Sequence, residues 1–197
     1  MEMKELDLGT QKVVNNFIGQ IRQSLGENLK SIILYGSLAS GQHHKKYSDI
    51  NILLILDKFN MQALVTIADI KRRTQFARIE PLALDVSYVR TSTDTFPIEF
   101  LDMQESYSVL WGEDYLKDLR INFKNLSHQC EWELKSKIIQ MQRFYINARK
   151  RNKPISDFLI KMVPSLCVVL KNILRLKNDE ANDRNEILEK MSKLFKI

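Results

Sequence analysis

Residues 50–56, Ile-Asn-Ile-Leu-Leu-Ile-Leu, constrain this chain more than any other stretch. A short, nearly unbroken aliphatic run has no polar face to offer water, so it reads as a strand buried on both sides. Ser31-Ile32-Ile33-Leu34-Tyr35 reads the same way. Two such strands need a sheet whose faces are covered by helices. Helical spacing appears where that cover is required. Val13, Val14, Phe17, Ile21 and Leu25 recur at steps of three and four, with Thr10 as the expected N-cap and Gly26 as the stop. Residues 60–77 read as a second helix with Leu64, Ile67, Ala68 and Phe76 facing inward. Pro81-Leu82-Ala83-Leu84 is a third short strand, and 97–105 a further helix opened by Asp94 and Pro97.

Beyond Gly112 the pattern changes. Residues 122–151 lack Gly and Pro and carry Leu126, Trp132, Leu134, Ile138, Ile139, Met141, Phe144 and Tyr145, the mark of one long helix. A second helix follows over 155–177, with Pro164 expected to kink or split it, and a last one over 182–195. The expected fold class is therefore α+β: a small mixed sheet with flanking helices, followed by a C-terminal helical bundle. The expected domains are 1–117 and 118–197. For 197 residues, at about 150 per domain, two unequal units are reasonable.

Charge is unevenly placed. The formal net charge is +6, yet residues 1–100 hold 12 basic and 11 acidic side chains. Residues 135–177 hold 11 basic groups and one acid, Asp157. Many of these will be solvated, and the 149–153 cluster suits a helix C-terminus. The surplus still points to a phosphate-bearing or acidic partner, a nucleotide or RNA among them. Two cysteines, Cys130 and Cys167, exclude a disulfide scaffold and offer no zinc spacing. The N-terminal residues show no apolar run after a basic region, and 162–170 is too short to span a bilayer. A cytoplasmic protein with no membrane association is expected.

The chemistry concentrates in Leu34-Tyr35-Gly36-Ser37 and, after eleven intervening residues, Asp49-Ile50-Asn51-Ile52. A strand that ends in Gly-Ser lets backbone approach a ligand closely, and the Ser37 hydroxyl with the amides after it can donate to phosphate oxygens at a helix start. Positions 49 and 51 share a strand face. Two carboxylates at such positions clamp divalent ions for phosphoryl or nucleotidyl transfer.

These residues resemble the signature of the DNA polymerase β-like nucleotidyltransferase superfamily. A second stretch, Phe96-Pro97-Ile98-Glu99-Phe100-Leu101-Asp102 with Leu110-Trp111-Gly112-Glu113-Asp114, resembles bacterial nucleotidyltransferase-domain proteins of the small-substrate branch, the aminoglycoside and minimal nucleotidyltransferases. The resemblance implies the nucleotidyltransferase fold, an NTP substrate, Mg²⁺, and transfer of a nucleoside monophosphate to a small-molecule or protein acceptor. It assigns Gly36 and Ser37, with Asn51 and Lys45, to nucleotide binding, and Asp49 to metal and catalysis. The chain departs from the signature at Asn51, where a second carboxylate is expected; a neutral amide oxygen is a poorer Mg²⁺ ligand, so weakened turnover follows. The third carboxylate is expected on the third strand. Asp85 is the candidate for both metal binding and catalysis, but its place before Val86-Ser87-Tyr88 equally suits a helix N-cap. Glu80 is the substitute.

The plainer readings stand beside these. His43 and His44, with Lys45 and Lys46, suit a solvated loop. Trp111-Gly112-Glu113-Asp114 reads as a turn closing the first domain, and Trp132, Phe144 and Tyr145 as bundle core in preference to a stacking platform. A different class of function is compatible with Asn51: a catalytically inactive nucleotidyltransferase-fold module, antitoxin-like or RNA-binding, that uses the basic helices toward a helical protein or RNA. The oligomeric state is open, a homodimer included.

Overall fold

The computed structural model describes residues 8–39, 49–74, 78–151, 155–181 and 183–196. Two compact units emerge: Met1–Thr93 with Glu99–Arg120, and Asp94–Ile98 with Ile121–Ile197.

The first unit is built on a four-stranded mixed sheet. Helix α1 (Leu8–Leu25) precedes β1 (Leu29–Tyr35) and β2 (Ile50–Leu56); α2 (Met61–Arg73) leads to β3 (Ile79–Asp85), α3 (Val86–Thr91), the expected helix α4 (Pro97–Glu105) and β4 (Tyr107–Gly112). Strand order is β3-β2-β1-β4. β1 runs antiparallel to β2 and β4, and β2 parallel to β3. The parallel pair is joined through α2, because parallel neighbours need a long crossover.

Strand alternation sorts the aliphatic runs onto two faces. Ile32, Leu34, Ile50, Ile52, Leu54 and Leu56 form one core with Val14, Phe17 and Ile21 of α1 and Ala63, Ile67 and Ile70 of α2. Ile33, Leu53 and Ile55 alternate to the other face and are equally buried. The double burial read from residues 50–56 is thus observed. Pro81 lies opposite Ile52 on β3, at the sheet's edge, where a residue without an N–H is tolerated.

Several local expectations shift. α1 begins at Leu8, so Thr10 lies inside it and is not its cap. α2 is capped by Asn60, whose side chain accepts from the Ala63 N–H at 2.8 Å, and its buried face is Ala63, Ile67 and Ile70; Ala68 points outward. Phe76 lies outside the described residues. Tyr107–Gly112 is a strand, so Trp111 and Gly112, expected to open a turn running to Asp114, are its last two residues. Pairing with β1 outweighs that local turn signal, and Gly112, at φ +85, allows close approach to Lys30.

The second unit holds α5 (Phe123–Arg151), α6 (Ile155–Leu176) and α7 (Arg184–Phe195). α6 continues through Pro164 without splitting. Cys167, Leu174, Ala181, Ile187 and Met191 make one core, and Phe144 stacks on Phe158 with ring centres 4.1 Å apart. Trp132 is 66% exposed and Tyr145 56%, so neither is core: the buried side of α5 carries Leu126, Cys130, Lys137 and Ala148 instead. Lys135 and Lys137 pair with Glu131 and Glu133, one turn earlier, which balances part of the basic segment locally. Both cysteines are free and buried, and burial pushes the Cys130 thiol up to about 11, the state of an inert structural cysteine. Among the described residues, no helix is long and apolar enough to cross a membrane.

Candidate functional site

β1 ends and β2 begins at one end of the sheet, and the pairing there collects the residues of interest. Tyr35 lies opposite Asn51 on β2 and opposite Tyr107 on β4, while Asn51 lies opposite Glu80 on β3. Partners in register share a face, so Tyr107, Tyr35, Asn51 and Glu80 form one transverse row across all four strands. Ile50 N–H donates to the Arg78 carbonyl at 2.7 Å, which extends the β2–β3 ladder to the residue before β3. Asp49 sits just before β2, exposed, and strand alternation assigns it to the face of Asn51.

Gly36 follows Tyr35 with φ +81, the left-handed region that favours glycine. Its N–H donates to the Ser106 carbonyl at 3.0 Å, and its carbonyl accepts from Ala39 N–H at 2.9 Å. A Cβ at Gly36 would stand 3.0 Å from Asn51 Nδ2. The glycine therefore does two jobs: it reverses the chain after β1 and leaves room beside the Asn51 amide. Ser37 to Ala39 form a turn, not the helix start expected for this segment.

The structure brings Gly36, Asp49 and Asn51 to the same end of the sheet. It does not bring Asp85 there. Asp85 ends β3 opposite Leu56, five residues along the strand from the Asn51 row, about 16 Å away at strand rise. Its carboxylate is engaged as the N-cap of α3, accepting from Tyr88 N–H at 2.7 Å. The cap reading of Asp85 is the one the geometry shows. Glu80 is the carboxylate of β3 that reaches the row. A sequence signal for this existed: parallel strands joined by a crossover start at the same end, and Asn51 and Glu80 are each the second residue of their strand. Lys45, His43 and His44 lie outside the described residues.

Glu80 Oε2 lies 2.6 Å from Lys71 Nζ, from the last turn of α2. The two tyrosines of the row are held in their neutral form. Burial raises the Tyr35 pKa. For Tyr107 burial acts first, followed by its hydroxyl's 3.1 Å hydrogen bond to Asp114 and that residue's charge.

The family resemblance implies divalent ions clamped between carboxylates. Among the described residues no three His, Cys, Asp or Glu side chains come together as a metal site. Among the described residues, Asp49 and Glu80 are the carboxylates at the Asn51 part of the row, Asp114 is engaged by the Tyr107 hydroxyl, Asn51 adds one neutral oxygen, and Glu80 already holds an ammonium group. This donor set does not fit a two-ion clamp.

Comparison with known proteins agrees with the fold. No curated protein matches the chain by sequence. A spectinomycin adenyltransferase from Enterococcus faecialis, solved with ATP and spectinomycin, superposes with a TM-score of 0.50 at 12% identity, covering 88% of this chain and 91% of that one. A toxin–antitoxin structure with AMP-PNP gives 0.37 at 19% identity, over 63% of this chain and 93% of that one. The sequence profile of the nucleotidyltransferase domain matches residues 16–194, nearly the whole chain. With the Gly-Ser turn, the mixed sheet and the DNA polymerase β-like signature in place, this chain belongs to the nucleotidyltransferase domain family.

Proposed function

We propose that this chain binds a nucleoside triphosphate at the Gly36 end of its sheet and transfers the nucleoside monophosphate to a hydroxyl or phosphate acceptor, releasing pyrophosphate, with turnover held low by Asn51. The observation that carries this reading is the transverse row, with Asn51 set between Tyr35 and Glu80 and with Gly36 turned beside its amide. The bare Gly36 backbone admits a phosphate, and the Ser37 hydroxyl would donate to its β- or γ-oxygens. The nucleotide would arrive as its Mg²⁺ complex, with Asp49 as the carboxylate nearest that charge. Glu80 is the group in reach of an acceptor hydroxyl. Catalysis of this kind is mostly positioning and charge neutralisation, so one missing carboxylate weakens it without removing the fold.

Asn51 itself favours a second reading, a module that binds nucleotide and does not turn it over. Calorimetry with each NTP and Mg²⁺, together with transfer from an α-labelled NTP, separates the two. Asn51→Asp is expected to tighten Mg²⁺-dependent binding by on the order of tenfold and to raise transfer, because the added charge restores an anionic ligand. Transfer by Asn51→Ala at the native rate would sink the role given to position 51. Binding without transfer, in both the native chain and Asn51→Asp, would select the second reading. Failure of every NTP to bind would end both.

A further inference from the structure

The misfit between donor set and two-ion clamp has a counterpart at the edge of the same row, where Lys71 of α2 meets Glu80. Around Asn51 the described side chains offer Asp49, a neutral amide, and a Glu80 whose oxygen is 2.6 Å from the Lys71 ammonium. Lys71 is firmly based. Its carbonyl accepts from both the Thr74 N–H at 2.9 Å and the Thr74 hydroxyl at 2.7 Å, and Thr74 is buried. The end of α2 from which Lys71 projects is thereby tied down. Its side chain is 40% exposed and Glu80's is 53%, so the ammonium keeps access to solvent and to a ligand while Glu80 orients it. A fixed cation next to Glu80 repels a divalent ion from that carboxylate and attracts a phosphate oxygen.

We infer that Lys71, oriented by Glu80, is a built-in cation of the nucleotide site: it neutralises triphosphate charge where a second divalent ion would otherwise bind, so that nucleotide binding survives removal of divalent ions. This rests on the nucleotide-binding reading above. The loss of a carboxylate at Asn51 and the capture of Glu80 by a lysine are then two halves of one arrangement, fewer negative ligands and a resident positive charge. The rival account is an ordinary surface ion pair. Such pairs contribute little to stability, so replacing Lys71 leaves the fold intact under either account and the two differ only in ligand binding.

The test is calorimetric titration of the full chain with ATP, in Mg²⁺ and in EDTA, for the native protein, Lys71→Gln and Lys71→Arg, with thermal midpoints confirming folding. The native chain is expected to lose less than about tenfold in affinity on passing to EDTA, whereas Lys71→Gln loses a further tenfold or so there, the cost of a charge-assisted hydrogen bond, and becomes steeply Mg²⁺-dependent. Lys71→Arg keeps the charge and is expected to stay near native. ATP binding that EDTA abolishes in the native chain overturns the inference and leaves the nucleotide-binding reading standing. So does Lys71→Gln binding ATP in EDTA as tightly as native. No ATP binding in either condition overturns both.

Discussion

The two ends of the sheet use the same residue types for different work. At the β1–β2 end stand a glycine with positive φ, Gly36, and a carboxylate on β3, Glu80. At the other end stand a second such glycine, Gly112, opposite Ser31, and a second carboxylate on the same strand, Asp85. What separates them is what lies within reach. A Cβ at Gly112 would meet the Lys30 carbonyl at 2.1 Å and Ser31 Cα at 2.8 Å, both backbone; at Gly36, among the described residues, it would meet only the flexible end of Asn51, at 3.0 Å. Asp85 spends its carboxylate on an N–H of its own chain, while Glu80 faces outward to Lys71. A polar or permissive residue closed upon by backbone serves the fold, and one closed upon by movable side chains is left available to a ligand.

The largest effect that can break this contrast comes from the glycines. Gly112→Ala is expected to cost about 3 kcal/mol or more, since the added methyl meets backbone and the left-handed conformation penalises any Cβ. Gly36→Ala should cost about 1–2 kcal/mol, the conformational share alone, because the Asn51 amide can give way. Urea midpoints of the two variants check the order, and equal losses would remove the distinction. Next in size is the carboxylate pair. Asp85→Ala should lose about 1 kcal/mol by giving up its cap, with NTP affinity unchanged. If calorimetry shows NTP affinity falling in that variant while the fold holds, Asp85 reaches the nucleotide and the far end is not purely structural.

The smallest effect is in pH. Tyr35 and Tyr107 both have folded pKa values raised above the ordinary 10. A phenol whose pKa is raised on folding contributes stability that is fully present below the unfolded value and is lost as pH climbs through the folded one. Stability should therefore fall above pH 10, from the β1–β2 end. Tyr35→Phe should flatten the decline in a series of chemical melts, Tyr107→Phe less so given its greater exposure. A native profile that is flat from pH 9.5 to 11 would contradict it.

Much of this was legible in the residues. The aliphatic runs at 31–35 and 50–56 announced two strands because burial on both faces leaves no room for polar alternation, and the Gly-Ser turn with Asp49 marked the end of the sheet where Gly36, Asp49 and Asn51 come together. β4 was not legible, because Gly112 and its acidic neighbours carry a local turn signal that only pairing with β1 overrides. The choice between Asp85 and Glu80 was likewise a question of register. Both are acids beside strand-forming residues, and only alignment of β3 against β2 shows which one shares a row with Asn51.

Pro81 bears on how copies of this chain meet. β3 is an outer strand, and outer strands are where sheets of separate molecules fuse. A newcomer aligning there would find no amide hydrogen at Pro81 and would leave one of its own carbonyls without a donor. This margin of the sheet is therefore closed to growth, which protects the neighbouring Glu80 and Asn51 from being buried by aggregation through it.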